Sequence, residues 1–557
     1  MKLIAFSNKV AVDISKDVSK YDIHIFSQYF IHADKNRNKE ITKCLQLNID
    51  NIDICKIHLL NERIYSDEEM GLQRSDKIVQ TNISRRLRFK DVFEYIRLNS
   101  IKGYLIFVNI DIIFDSSVQN LKLSQLDEKK QMFALLRYEY NGVNFESSPL
   151  YGPRSDSQDT WIFHSNTIIS KNQEEAFYFE FGKPGCDNKM AYIMKVLGYE
   201  IINDPEFIKT YHNHRSSVRN YTFKDTVKQP WGFIIPSNSN PRTMVPSLGI
   251  NMDNVIKQDV WFDDNNIIRE YISSRIECKK KFIIPRISGI ENNFAVFCKL
   301  YPNCNQQQRQ YIGSYLKNVN TAMKVNAGIK LSNIASKIKY SKLYLEAFEN
   351  CDIFCGWDAQ GNYLEHVKDS HIHIQREHSS KKMVWAYALD IFHYIHSKPW
   401  TLALRGQRVL IISPFEDSIR QQIPIRKTLY DGIDLFPECE FLTIKPPMTQ
   451  GTENSLEFDE ELRMFYIKLD KLKGSYDVAL LSCGGYCNII SNYIFTEHNK
   501  SAIYVGGVLQ MYFGILGKRW LLERPDVLRL YMNKSWTTAN NNERPKGFEQ
   551  IEGGCYW

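Results

Sequence analysis

YLIFVNIDIIFD, residues 104–115, carries the strongest structural signal in this chain. Its first five residues form a continuous run of β-formers, which predicts a strand buried on both faces of an α/β sheet. Asn109 and Asp111 follow this strand and share one side of an extended backbone, because side chains alternate along it. Oxygen donors beyond the carboxyl end of such a strand suit Mg²⁺ or Mn²⁺ bound to phosphate. Taken alone, the tripeptide fits a polar turn equally well.

Length and composition limit the classes of protein that fit. The chain has 557 residues, too many for one core, and its 43% hydrophobic content can supply two. The formal net charge is +7 with both signs interspersed, which argues against a dedicated nucleic-acid binder and favours anionic substrates. No apolar run approaches the roughly 20 residues that span a bilayer, and the N-terminus lacks a signal-peptide pattern. We therefore expect a cytoplasmic protein without a transmembrane segment.

The order of apolar segments predicts two α/β domains joined by a linker. Residues 1–225 alternate helical segments with apolar strands, which are YDIHIF, ICKIHLL, YLIFVNI, MFALLRY and TWIFH. Residues 226–280 are rich in Pro, Asn and Ser and predict a linker. Residues 281–525 repeat strand, turn and helix, which predicts parallel βαβ units, most clearly in RVLIISPF, YDVALLSCGG and AIYVGG. Residues 526–557 are expected to pack as a tail.

The first domain contains further polar residues at predicted element ends. Arg137 lies at the edge of one strand and Asp159 immediately precedes another. Asp187 stands at the start of an amphipathic helix, where an N-cap role is the commonest alternative. His212 and His214 follow a short strand and are otherwise ordinary loop histidines. Together with the Asn-x-Asp tripeptide, they predict one polar site rather than unrelated turns.

These segments resemble the GT-A type of glycosyltransferase over about residues 2–221. The tripeptide Asn109-Ile110-Asp111 resembles that superfamily's Asp-x-Asp signature. The sequence segments SQDTWIF, GCDNKMAY and YHNH resemble those of a group of poorly characterised glycosyltransferase-like domains. The resemblance implies a Rossmann-like domain with a mixed sheet, which moves a sugar from a nucleotide-diphosphate donor to a glycan acceptor.

The resemblance also implies roles for individual residues. Asn109, Asp111, His212 and His214 would hold a divalent metal, Mn²⁺ or Mg²⁺, and Asp187 would be the general base of an inverting transfer. Asn109 departs from the signature, and its uncharged amide lowers the expected metal affinity. The nucleotide sugar is expected to contact Arg88, Arg137 and Asp159. Arg88 belongs to a basic segment that also fits an exposed helix face.

The second domain opens with PRISGIENN, in which Arg286 and Glu291 stand near a strand end. This run resembles the Arg-to-Glu element of GT-D-type glycosyltransferases in bacterial and viral polysaccharide clusters, with Gly289 where an Asp is usual. Gly484 and Gly485 follow a buried strand and open a helix, where backbone N–H groups could cradle a phosphate. The resemblance implies a second transferase with Glu291 as a catalytic residue and Arg286 at the donor. A non-catalytic, acceptor-holding module is the alternative.

We therefore expect a two-domain α/β glycosyltransferase, with two transferase modules, in polysaccharide or glycoprotein glycan synthesis. Tethering two modules would raise the effective concentration of the first product for the second step. One alternative is a single active N-terminal transferase with a carbohydrate-binding C-terminal domain. Another is a scaffold of degenerate transferase folds, which the uncharged Asn109 keeps open. A metal-dependent phosphoesterase or nuclease would need a denser Asp/His cluster than the sequence offers.

Overall fold

The computed structural model describes residues 2–73, 75–216, 221–239, 261–357 and 365–557. The chain divides into two compact units, Met1–Val260 and Trp261–Trp557. Both units combine sheets with helices, so the predicted α/β class is confirmed. The segment 226–280, predicted as a linker, includes a strand and a helix, and its residues 240–260 lie outside the described part of the chain.

The first unit is built around a mixed sheet. Its strands are β1 Lys2–Phe6, β2 Ile23–Ser27, β3 Lys56–Asn61, β4 Ile78–Asn82, β5 Tyr104–Val108, β6 Ile112–Phe114, β7 Gln131–Leu135, β8 Tyr138–Glu139, β9 Thr160–His164, β10 Glu200–Ile202, β11 Thr210–His212 and β12 Trp231–Ile235. Its helices are α1 Lys35–Asp50, α2 Asp67–Met70, α3 Phe89–Leu98 and α4 Cys186–Val196. Within the described residues, the main sheet has the order β10-β7-β9-β5-β2-β3-β4.

The predicted central strand forms as expected. All residues of β5 are buried, and it lies between β2, which is parallel to it, and β9, which is antiparallel. Each strand predicted in this unit has a counterpart in the structure. The antiparallel direction of β9 was not predicted, because an apolar run on one strand contains no information about its partner's direction. Strand β5 therefore ends at the edge of the sheet where Asn109 and Asp111 lie.

A small second sheet brings the histidines to the same edge. Strand β11 lies between β6 and β8, antiparallel to β6 and parallel to β8. In this register His212 faces Ile112 on one neighbour and Glu139 on the other. Because Ile112 directly follows Asp111, the pairing fixes His212 beside that carboxylate.

Two helix starts place further polar side chains. The Asp34 side chain caps α1 by accepting the backbone N–H groups of Asn36 and Arg37, so Arg37 lies in the first turn. Helix α4 begins after Gly185, whose φ of +78° and contact with the Trp231 ring favour glycine. Asp187 consequently lies in the first turn of α4.

The second unit contains a five-stranded parallel sheet and two separate two-stranded sheets among its described residues. Its strands are β13 Ile283–Ile284, β14 Ile353–Gly356, β15 Lys382–Trp385, β16 Arg408–Ile412, β17 Glu440–Ile444, β18 Val478–Leu481, β19 Ser501–Tyr504, β20 Ile515–Leu516 and β21 Thr537–Thr538. Its helices are α5 Trp261–Glu277, α6 Ile290–Leu300, α7 Gln306–Asn318, α8 Asn320–Val325, α9 Ile334–Glu349, α10 Glu365–Glu377, α11 Glu416–Gln422, α12 Phe458–Asp470, α13 Cys487–Thr496, α14 Leu509–Tyr512, α15 Lys518–Glu523 and α16 Pro525–Tyr531.

The strand order β13-β19-β18-β16-β17 is parallel throughout, which confirms the predicted βαβ units. Strand β16 leads through α11 to β17 on one side, whereas its neighbour β18 leads through α13 to β19 on the other. Ligands of parallel sheets bind in the crevice where connections diverge in this way. In the described parts of the chain, no helix combines the length and the apolar character needed to cross a bilayer.

Candidate functional site

A cleft of about 740 Å³ opens at the carboxyl end of β5 in the first unit, and we call it the first-unit cleft. It brings together most of the residues predicted from the sequence for this unit: Asn109, Asp111, Arg137, Asp159, Asp187, His212 and His214. Arg88 is not among the residues that line it; its guanidinium lies 4.0 Å from the centre of the Tyr178 ring. The neighbouring Arg85 and Arg86 line the cleft instead.

Asp111, His212 and His214 form the one group of potential metal ligands found among the described residues. Their ligand atoms all lie within 4.8 Å of one another. Asp111 Oδ2 is 3.3 Å from His212 Nε2 and 3.5 Å from His214 Nδ1. One carboxylate with two imidazoles is a donor set that suits Mn²⁺ and other first-row divalent ions. The residues present therefore fit the metal that the sequence predicts.

Two partners of this cluster were missed by the sequence analysis. Arg37, 5% exposed, donates to Asp111 Oδ2 and, at 2.9 Å each, to the Asn213 carbonyl and the Glu40 carboxylate. On the other side, Glu139 Oε2 lies 3.2 Å from His212 Nδ1. A carboxylate on the far nitrogen fixes the orientation of a ligating imidazole. Glu139 thus orients the His212 ring, and Arg37 forms an ion pair with Asp111.

Electrostatic interactions in and beside the cluster keep Asp111, His212 and Glu139 charged. Burial alone would raise the pKa of Asp111, but His212, His214 and Arg37 hold that pKa well below its ordinary value. Burial would likewise lower the pKa of His212, yet the Asp111 carboxylate raises it to about 9. The pKa of Glu139 falls to about 2: burial opposes this change, and His212 and Arg137 produce it.

Asn109 belongs to a different group of side chains from Asp111. Its amide Nδ2 donates to Asp159 Oδ1 at 2.9 Å. The other oxygen of Asp159 accepts from Arg137, which also contacts Glu139 and Ser157 at 2.9 Å each. The predicted nucleotide-binding residues Arg137 and Asp159 are therefore paired with each other, and the structure shows Asn109 as a partner of Asp159.

Asp187 lies half-buried in the same cleft. Burial, followed by repulsion from Asp159, raises its pKa to about 7. Its Oδ2 accepts the backbone N–H of Gln158 at 3.2 Å. The Gln158 side chain, 1% exposed, also lines the cleft, and its Oε1 has no hydrogen-bond partner among the described residues. An orphaned acceptor beside a carboxyl of raised pKa is the environment expected where a hydroxyl-bearing ligand binds.

Six basic side chains also line the cleft: Arg37, Arg85, Arg86, Arg137, Arg154 and Lys183. Several are anchored by carboxylates, as with Arg154 on Asp156 and Lys183 on Asp225. Anchored guanidinium groups still present free N–H donors to an oxyanion. The cleft is therefore suited to an anionic ligand.

In the second unit, a pocket of about 770 Å³ lies where β13, β16, β18 and β19 end, and we call it the second-unit pocket. It is lined by the predicted residues Arg286, Glu291 and Gly484. Gly485 is not part of the lining: its N–H donates to the Ala327 carbonyl, and its Cα packs against Ile329. Pro414 after β16 and Ser482 after β18 place the pocket at the point where the sheet connections diverge.

No protein-family model and no curated protein sequence matches the chain. Among solved structures, it is similar to the mannosyltransferase PcManGT from Pyrobaculum calidifontis, solved in complex with GDP-Man and Mn²⁺, at 11% sequence identity and a TM-score of 0.26. The match covers 38% of this chain and 62% of that chain, less than two thirds of its length.

Proposed function

We propose that this chain is a glycosyltransferase that moves sugars from nucleotide-diphosphate donors to a glycan acceptor, with the first unit as a metal-dependent, inverting module. The observation that carries the proposal is the joint lining of the first-unit cleft. A carboxylate–imidazole cluster, basic side chains and a carboxyl with a pKa of about 7 all face one volume of about 740 Å³. That volume suits a nucleotide sugar.

The donor would bind with its diphosphate at the Asp111 cluster. A divalent ion held by Asp111, His212 and His214 would offset the negative charge that develops on the leaving diphosphate. The surrounding guanidinium groups, Arg137 and Arg86 among them, would donate to the same phosphate oxygens. Asn109 supports this arrangement indirectly, because it holds Asp159 in place for Arg137.

Asp187 is proposed as the general base. A carboxyl with a pKa of about 7 removes a hydroxyl proton more effectively at neutral pH than one with an ordinary pKa. The acceptor hydroxyl would lose its proton to Asp187 as its oxygen forms the new bond to the anomeric carbon. The bond from that carbon to the diphosphate breaks on the opposite face, so the anomeric configuration inverts. Gln158 Oε1 would accept a hydrogen bond from a sugar hydroxyl.

The second unit is proposed as a second transferase module acting on the same glycan. Glu291 lines the second-unit pocket, and burial raises its pKa. That property fits a group that exchanges a proton with substrate. The competing proposal for this unit, a carbohydrate-holding module without catalysis, predicts that Glu291 can be replaced without loss of any transfer step.

The proposed function is tested by incubating the full-length chain with a panel of nucleotide sugars, with Mn²⁺ or with EDTA, and measuring nucleotide diphosphate release. We expect hydrolysis of at least one donor that is faster with Mn²⁺ than with EDTA. Thermal shift in the same wells reports binding independently of turnover, because a ligand raises the melting temperature by mass action. If no nucleotide sugar changes the melting temperature in any well, the scaffold alternative is favoured over a transferase.

A further inference from the structure

The second-unit pocket holds a guanidinium group in a fixed position. Arg286 Nη1 donates to the Val505 carbonyl at 2.6 Å, and the guanidinium carbon lies 4.7 Å from the centre of the Trp357 ring. Gly506, with φ of +83°, follows at the end of β19, where a Cβ would collide with Arg286 Nη1. A carbonyl, a ring and a glycine thus orient Arg286 before any ligand arrives.

The other arginines of this pocket form ion pairs with carboxylates, whereas Arg286 interacts with the Glu291 and Asp390 carboxyls only at longer range. Arg519 pairs with Glu552 and, at 3.6 Å, with Glu523. Arg524 lies 3.3 Å from Asp390. In the described parts of the chain, no carboxylate forms an ion pair with Arg286. A guanidinium has five N–H donors in a planar fork, so Arg286 retains donors for a phosphate.

Polar atoms without partners also line the pocket. His371 is 1% exposed, and its Nε2 has no hydrogen-bond partner among the described residues. Burial lowers the pKa of His371 to about 4, so its ring is neutral at pH 7. Asn326 Oδ1 and Gln450 Oε1 are orphaned acceptors in the same lining. Buried polar atoms normally have partners, so these three are suited to the hydroxyl groups of a ligand.

Aromatic rings form much of the remaining wall. The rings are Trp357, Tyr387, Tyr504, Trp520, Tyr556 and Trp557. Aromatic faces bind sugar rings and nucleobases through apolar and stacking contacts. The pocket therefore combines one preorganised cation, acceptors for hydroxyl groups and flat apolar surfaces in a volume of about 770 Å³.

We propose that the second-unit pocket binds a nucleoside diphosphate, or its sugar ester, through the Arg286 guanidinium, and that this binding does not require a divalent ion. The positive charge that the first-unit cleft would obtain from a metal is supplied here by a side chain. The phosphate would lie against Arg286, the ribose or sugar hydroxyls near His371, Asn326 or Gln450, and a ring on the aromatic wall. This inference rests on the proposed transferase function and specifies how its second site holds a donor.

The test is isothermal titration of the full-length chain with UDP and with GDP. In EDTA we expect one equivalent of a diphosphate to bind. Arg286→Gln should weaken this binding about tenfold or more, the loss that follows removal of a charged hydrogen bond. Arg286→Lys, which keeps the charge but not the fork, should retain intermediate affinity. Arg405→Gln, at an exposed arginine paired with Glu438, is the matched control and should bind as the wild type does.

The same titration separates this inference from the proposed function of the first unit. His214→Gln should leave the EDTA-resistant equivalent unchanged. Adding Mn²⁺ should allow one further equivalent of diphosphate to bind to the wild type and to Arg286→Gln, but not to His214→Gln. If the wild type binds neither diphosphate in EDTA, or if Arg286→Gln and Arg286→Lys both bind normally, the inference is overturned. Loss of the Mn²⁺-linked equivalent alone would count against the first-unit proposal instead.

Discussion

The first-unit cleft and the second-unit pocket have similar volumes, about 740 and 770 Å³, but arrange their charges differently. In the cleft, Asp111 gathers two histidines and Arg37 around one carboxylate oxygen. In the pocket, carboxylates pair with Arg519 and Arg524, whereas Arg286 forms no ion pair among the described residues. The cleft therefore offers a carboxylate and two imidazoles to a cation, whereas the pocket offers a guanidinium to an anion. Under our proposals, the two sites would bind a diphosphate differently, through a metal in the cleft and through Arg286 in the pocket.

The largest expected effect separates the two sites by the reaction step that each is proposed to support. Asp187→Asn should reduce the first sugar transfer by about 10²–10⁴-fold, because an amide cannot accept the hydroxyl proton. Glu291→Gln should spare that step and reduce the second by a similar factor. Product chromatography with each purified variant distinguishes the steps. Asp67→Asn is the matched control, since Asp67 is exposed in the first turn of α2. A Glu291→Gln enzyme that completes every addition would leave the second unit without a catalytic role.

A smaller effect is expected from the carboxylate that orients the cluster. Glu139 contacts His212 Nδ1, and replacement of such a partner typically lowers metal affinity by about 10–100-fold. We expect Glu139→Gln to weaken Mn²⁺ binding to that extent. The affinity is measured by a titration that is monitored by electron paramagnetic resonance. EDTA-resistant UDP binding should not change, because Glu139 belongs to the first unit. Glu146→Gln, at an exposed position, serves as control. Equal Mn²⁺ affinity in both variants would remove Glu139 from the site.

The sequence was sufficient to predict the strands and the polar residues that lie at their ends. An apolar run followed by polar residues is a local pattern, so β5, Asp111 and the helix carrying Asp187 could be placed without a structure. Arg37 and Glu139 could not be found in this way. Arg37 is 74 residues from Asp111, and Glu139 is 73 residues from His212. Both depend on which strands and helices become neighbours, and nothing in their local sequence specifies that pairing.

The same limit explains the differences within the predicted donor sites. Arg88 and Arg86 are equivalent by sequence, yet the start of α3 at Phe89 directs Arg88 to Tyr178, while Arg86 faces the cleft. The sequence predicted that Gly485 forms part of a phosphate-binding turn, but its N–H donates to the Ala327 carbonyl. Asn109 was grouped with Asp111 because side chains alternate, whereas its amide turns to Asp159. Spacing gives the side of the strand but not the hydrogen-bond partner.

A further prediction concerns Arg37, which contacts the oxygen that a metal would use. Arg37→Gln leaves the buried Asp111 carboxylate with less positive charge around it, and removing one partner of a buried pair costs about 3–5 kcal/mol. Mn²⁺ would replace the lost charge, so its addition should raise the melting temperature of Arg37→Gln more than that of the wild type. Arg154→Gln breaks another pair in the same cleft, with Asp156, and should show no such extra gain. Equal gains in both variants would mean that Arg37 and the metal do not share Asp111.

The smallest expected effect is the pH dependence of stability that arises from Asp187. Its pKa in the folded protein is about 7, above the ordinary 3.8, so the folded chain holds a proton that the unfolded chain releases between these values. The free energy of unfolding should therefore fall as the pH rises from about 4 to 7, because desolvation and the Asp159 charge disfavour the ionised form of the half-buried carboxyl. Asp187→Asn removes this term, so its melting temperature should decline less than that of the wild type between pH 5 and pH 8. Parallel declines would show that Asp187 ionises in an aqueous environment, which would weaken the case for it as a base of raised pKa.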